Sequence, residues 1–177
     1  MEDKQAEREA VLEAAKLMAV AARTAPKTKG IDNLRTAILT GPEKEKLCKQ
    51  MDELSGEYGF FKRDAKNLRA SEAVLLVGLS AEPSDLDCGA CGMNCDEMRQ
   101  QKKREGKGYK GPNCIMDVLN LGIALSSAAK TAALLNVDNR LMFSIGVAAR
   151  KSGVMDEDLV VGIPLSVSGK NVFFDRK

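Results

Sequence analysis

The chain has no histidine among its 177 residues. That absence removes imidazole as a metal ligand, as the base of a catalytic triad and as the usual general base near neutral pH. No G-x-G-x-x-G follows a strand pattern and no Walker A sequence is present, which argues against a Rossmann dinucleotide site and a P-loop. There is no internal repeat and no low-complexity segment. The longest apolar runs are far too short to span a bilayer. Met1 to Glu9 is charged, with no basic stretch ahead of an apolar core, so nothing there resembles a signal peptide. The formal net charge of +2 is close to balanced, so bulk charge gives no case for nucleic acid or an anionic membrane surface.

What remains is 44% hydrophobic and 29% charged, the balance of one soluble domain over residues 1–177, large enough to bury a core. A cytoplasmic, reducing setting is expected, and there clustered cysteines are metal ligands more often than disulfides. Four of the five cysteines are clustered: C88-G-A-C91-G-M-N-C95, then eighteen residues, then G-P-N-C114. Three closely spaced thiolates plus a remote fourth is a common iron–sulfur arrangement, and a [4Fe-4S] cluster on Cys88, Cys91, Cys95 and Cys114 is the first choice. Structural zinc competes, although four-cysteine zinc sites usually show two separated pairs; disulfides are the third alternative. Gly111 and Pro112 break the chain and Asn113 is a good N-cap, so Cys114 is expected to open a helix whose positive end favours a thiolate. Cys48 falls among Leu47 and Met51 in a helical pattern and reads as packing.

Periodicity predicts helices over 7–22 and 43–54, and a helix or turn over 62–69. It predicts strands at Leu34 to Thr40 and Ala73 to Ser80, the second a continuous apolar run that suits a buried central strand. From Cys114 to Asn136 the pattern is apolar on nearly every side, the mark of a buried helix; Gly122, Ser126, Ala129 and Ala133 share one face and admit close approach of another subunit, a flat cofactor or a neighbouring helix. Leu141 to Gly146 reads as extended, followed by a short helix ending at Gly153. Leu159 to Pro164 and Asn171 to Phe174 are the last strand candidates. The basic run 100–110 has one aromatic, Tyr109; it is too small and too poor in stacking residues for a nucleic-acid face, and residues 102–110 suit a solvated loop or a docking patch for an acidic redox partner. Alternating helices and strands give an α/β or α+β class around one sheet.

The segment A21-A-R23-T-A25-P26-K-T-K-G-I-D32-N-L resembles the A-A-R-x-A-P-S-x-x-N-x-Q-P-W stretch of FMN-dependent nitroreductases, part of their flavin pocket. The apolar helix over 115–135 looks like their central dimer helix. With C-G-A-C-G-M-N-C inserted after the second strand and G-K170-N-V-F-F-D-R176-K closing it, the chain is similar over nearly its full length to an uncharacterised family of ferredoxin-domain proteins. These resemblances imply an α+β nitroreductase-like fold, a central mixed sheet flanked by helices, with 84–114 an inserted cluster-binding segment. They also imply a homodimer and an iron–sulfur redox protein, either FMN-linked and acting on a small organic acceptor or cluster-only as carrier, sensor or accessory factor. FMN would lie near Arg23, Pro26, Lys27, Thr28 and Asp32, with Lys170 and Arg176 on its phosphate. Gly30, Asp32 and Leu34 stand where the nitroreductases have Asn, Gln and Trp.

Overall fold

Seven consecutive buried residues, Ala73–Leu79, form strand β2 and divide the interior in two, because successive side chains of a strand point to opposite faces. The computed structural model describes residues 2–174. Ala73, Leu75, Val77 and Leu79 face helices α1 (Asp3–Thr24) and α5 (Ile115–Leu134), whose inward stripes are Val11, Ala14, Ala15 and Met18 on one and Leu121, Ala124, Ala128 and Ala132 on the other. Val74 and Leu76 face α2 (Gly41–Glu53), α3 (Phe61–Arg69) and α6 (Phe143–Lys151), meeting Leu47, Met51, Phe61, Leu68 and Ile145. Burying each large aliphatic side chain stabilises the fold by about 1.5–3 kcal/mol, so both faces contribute.

The sheet order is β1-β2-β6-β5, with β1 Leu34–Thr40, β5 Asp138–Asn139 and β6 Leu159–Ser166. The expected helix-flanked sheet is present, but its described strands pair antiparallel throughout instead of forming a mixed sheet. The cause is the connection: two helices, α2 and α3, lie between β1 and β2, so the chain leaves at Thr40 and returns beside it at Ala73. A single crossover helix would have given a parallel pair.

Two further expectations are corrected. Residues 141–146 are not extended: α6 begins at Phe143, and only Met142 keeps a strand-like bridge, to Gly162. Gly146 marks a close approach, since a Cβ there would lie 1.7 Å from the carbonyl oxygen of Val160. Asn171 to Phe174 form a turn instead of a strand; Phe173 is buried and its carbonyl accepts from Arg140 Nη1 at 2.9 Å. No helix among the described residues is long and apolar enough to cross a membrane.

Candidate metal centre

The cysteine loop begins where β2 runs out of partners. After Ser80 the chain is irregular until Asn94, which caps α4 (Cys95–Gln100) through a capping box with Glu97. Several contacts shape the loop. Asp87 Oδ1 accepts from the Cys95 backbone N–H at 2.8 Å, and Arg99 pairs with both Asp85 and Asp96. Gly89 and Gly92 have φ of 69° and 84°, a left-handed backbone that glycine adopts without Cβ strain, and the Gly92 N–H closes a turn on the Gly89 carbonyl at 2.9 Å. Cys91 sits inside that turn with its Sγ 3.6 Å from the Met93 carbonyl oxygen. Cys88 is exposed, and Cys91 and Cys95 are half-buried.

Cys114 comes from the far side of a small hairpin, β3 (Arg104–Glu105) paired with β4 (Lys110–Gly111). It is the N-cap residue of α5, one position later than the sequence suggests, because Asn113 turns its side-chain amide to the Lys110 carbonyl at 2.6 Å. Cys114 is 5% exposed, and its Sγ lies 3.6 Å from Ser84 Oγ. Ser84 stands four residues before Cys88, so Cys114 packs at the root of the loop that carries the other three thiols. Burial pushes the Cys114 thiol up; hydrogen bonds from the Asp117 backbone, from the hydroxyl and backbone of Ser84 and from the Met116 backbone outweigh it and hold the thiol below its ordinary value. Cys48, by contrast, is buried on the inward face of α2, and burial pushes its thiol up to about 11.

All five cysteines are free. Among the described residues no three Cys, Asp or Glu side chains stand close enough together to form a metal-binding group. The donor set nevertheless suits a soft metal centre: four unpaired thiols, one of them held below its ordinary value by hydrogen bonds, and three on a loop with two glycines open to space.

A polar knot that sequence reasoning missed fixes the root of this loop. Asp117, 4% exposed in the first turn of α5, accepts from Asn33 Nδ2, from the Glu82 backbone N–H and from Asn120 Nδ2, at 2.9, 2.9 and 3.0 Å. Asn120 Oδ1 in turn accepts from the N–H and hydroxyl of Thr28. The signal was available: Asp117 and Asn120 are an i,i+3 polar pair in an otherwise apolar helix. A cleft of about 210 Å³ lies here, lined by Thr28, Asn33, Glu82, Ser84, Asp117 and Asn120 among others. On the other side, Asp158 accepts from the Ala81 N–H and from Lys103 Nζ, at 2.9 and 2.6 Å.

The residues expected near a flavin are brought together at the end of α1, but as an internal network. Arg23 pairs with Asp32 at 2.5 Å and donates to the Leu34 carbonyl at 2.9 Å. Lys27 donates to the carbonyls of Ala22, Arg23 and Ala25, closing the helix C-terminus. Burial pushes the Asp32 carboxyl up, yet the Arg23 hydrogen bond, the Leu34 N–H and the charge of Lys27 hold it below its ordinary value. Pro26 is exposed just past the helix. Lys170 is exposed in the tail after β6, and Arg176 lies outside the described residues. Lys27 and Thr28 thus already have acceptors within the chain, while the contacts of Arg23 run through Nη1 alone.

Comparison with known proteins fits this architecture. Residues 110–176 match a family model described as an uncharacterized protein containing a ferredoxin domain (DUF2148). An uncharacterized protein of Archaeoglobus fulgidus is 42% identical over 180 residues, spanning 99% of this chain and 97% of the relative. The chain belongs to this family of ferredoxin-domain proteins. Its fold is that of the nitroreductases. A nitroreductase with bound FMN from Desulfitobacterium hafniense superposes with a TM-score of 0.59 at 14% identity, over 89% of this chain and 78% of that one. A Lactococcus lactis nitroreductase in complex with nicotinic acid gives 0.59 at 14% identity, over 96% and 81%.

Proposed function

We propose that this chain is an iron–sulfur redox protein whose cluster is held by Cys88, Cys91, Cys95 and Cys114. One observation carries the reading: the buried Cys114 sulfur sits at the N-terminus of α5 against Ser84, at the root of the loop bearing the other three thiols. Such a cluster, when bound, accepts and releases single electrons. The chain supplies the rest. Four residues of backbone keep Cys88 within about 14 Å of Ser84. Gly89 and Gly92 hold left-handed turns with open space around them, which leaves room beside the loop thiols, and the N-terminus of α5 favours negative charge at Cys114.

The family description as a ferredoxin-domain protein supports the redox class. The surface beside the loop supports a protein partner: Lys103 and Lys110 are committed to Asp158 and Asp156, while Lys102, Arg104 and Lys107 are exposed and suit an acidic redox partner. The outer face of α5, with Leu119 and Ile123 exposed beside Gly122 and Ser126, supports a homodimer.

The direct test is the visible charge-transfer spectrum of anaerobically prepared protein. Cys91→Ser should abolish it and Cys48→Ser should leave it intact; equal iron content in both variants would refute the ligand assignment. Zinc without acid-labile sulfide would identify a structural site instead. A second reading adds FMN, on the strength of the fold and of the flavin-bound Desulfitobacterium neighbour. The 210 Å³ cleft beside Thr28 is smaller than the roughly 300–1,000 Å³ of most ligand pockets, so this cleft by itself would not enclose a flavin. A yellow chromophore released by heat would support this reading, and its absence after reconstitution with FMN would end it.

A further inference from the structure

We propose that the hydroxyl of Ser84 donates a hydrogen bond to the Cys114 sulfur when that sulfur is a cluster ligand, and thereby raises the reduction potential, with Asp117 as the residue that positions Ser84. The inference rests on the cluster reading above and adds to it a residue that lies outside the ligand set.

The geometry is local and buried. Ser84 Oγ and Cys114 Sγ are 3.6 Å apart, and the two residues are 7% and 5% exposed. In the free protein either group can be the donor. A ligating thiolate has no proton, so only the hydroxyl can donate, and the contact becomes charge-assisted. Bulk water has little access to replace it. One-electron reduction places further negative charge on the cluster and its sulfurs, so a donor stabilises the reduced form more than the oxidised one. The electron comes from the added reductant in a titration, and Ser84 keeps its proton throughout.

Ser84 does not reach that position by chance of loop shape. The Glu82 N–H is fixed on Asp117 Oδ2 at 2.9 Å, and the Ala81 N–H on Asp158 Oδ2 at 2.9 Å, so the strand exit is pinned on both sides immediately before Ser84. Asp117 is itself fixed by Asn33 and Asn120 and belongs to the same helical turn that Cys114 caps. Donor and acceptor are therefore set by one hub, which keeps their separation insensitive to movement of the outer loop.

The experiment uses the full chain, reconstituted with iron and sulfide under anaerobic conditions and titrated potentiometrically with dithionite and mediators. Threonine and valine are nearly isosteric and differ in the hydroxyl, so Ser84→Thr and Ser84→Val form the central comparison, with Ser84→Ala as the smaller deletion. Ser84→Val and Ser84→Ala should shift the reduction equilibrium several-fold to about tenfold toward the oxidised form, tenfold being ~59 mV for one electron. Ser84→Thr should stay within about twofold of the parent. Hyperfine spectra in deuterium oxide should show an exchangeable deuteron near the cluster in the parent and in Ser84→Thr, and lose it in Ser84→Val. Unchanged potentials in the hydroxyl-free variants would overturn this inference and leave the cluster assignment standing. Cluster loss from both hydroxyl-free variants but not from Ser84→Thr would move Ser84 from tuning to assembly and overturn it also. A parent protein without iron and sulfide would sink both readings together.

Discussion

The backbone N–H of Glu82 donates to Oδ2 of Asp117 at 2.9 Å, joining the exit of the central strand to the first turn of α5. Asp117 also serves the Asn33 and Asn120 side chains, so one carboxylate holds three elements around the base of the cysteine loop. Asp117→Ala leaves three donors without an acceptor; two of the three bonds are only part-buried, so the lower end of about 1–3 kcal/mol per unsatisfied group applies and the expected loss is roughly 3 kcal/mol. Urea unfolding of the metal-free protein measures it. A loss below about 1 kcal/mol would mean that water reaches the knot and that Asp117 positions nothing.

Gly146 faces the Val160 carbonyl with no room for a methyl group. Gly146→Ala must push α6 off β6, separating Ile145 and Val147 from the core, and should destabilise by on the order of 3–5 kcal/mol. Gly59→Ala, where an added Cβ meets open space, should change stability by less than about 1 kcal/mol and serves as the control in the same denaturation series.

Tyr109 packs edge-on against Phe143 at a centroid distance of 5.2 Å. Burial pushes its phenol up to about 12, with Arg150 pulling it the other way. A group whose folded pKa is raised holds its proton more firmly when folded. Its contribution is therefore complete below about pH 10, the unfolded value, and is lost as pH rises through about 12, by on the order of 2 kcal/mol. Tyr109→Phe should flatten the fall in urea midpoint over that window. An identical pH dependence in both proteins would show that the ring is not desolvated.

The outer face of α5 exposes Leu119 and Ile123. If a second copy covers that face, Ile123→Asp should convert a dimer to a monomer in light scattering, because an unpaired carboxylate in a closed interface costs several kcal/mol. A parent protein that already runs as a monomer would remove the homodimer from the account.

The sequence made β1 and β2 legible because their apolar runs are bounded by Gly41-Pro42 and by polar residues, and the α5 pattern is too long to be anything but a helix. Cys114 was placeable for the same reason: a cysteine after a glycine–proline break and ahead of an apolar helix has few places to go. The antiparallel order was not legible, since it follows from two helices packing in sequence between β1 and β2, a tertiary outcome. Phe173 and Phe174 have strand-like character, yet the chain turns there to bury one ring and set the other beside Arg140, a choice made by the neighbouring surface. Thr28, Asn33, Ser84, Asp117 and Asn120 are scattered over the chain and acquire meaning only when the fold brings them to one knot. The resemblance to a flavin pocket located Arg23, Lys27 and Asp32 as a group, but not their mutual pairing, which depends on the close return of the chain after α1.

The most direct test of the central claim is the iron and acid-labile sulfide content of the full chain purified without oxygen. The account predicts the two in equal amounts, about four of each per chain, as a [4Fe-4S] centre requires. Zinc alone, or no metal bound to the four cysteines, would contradict it.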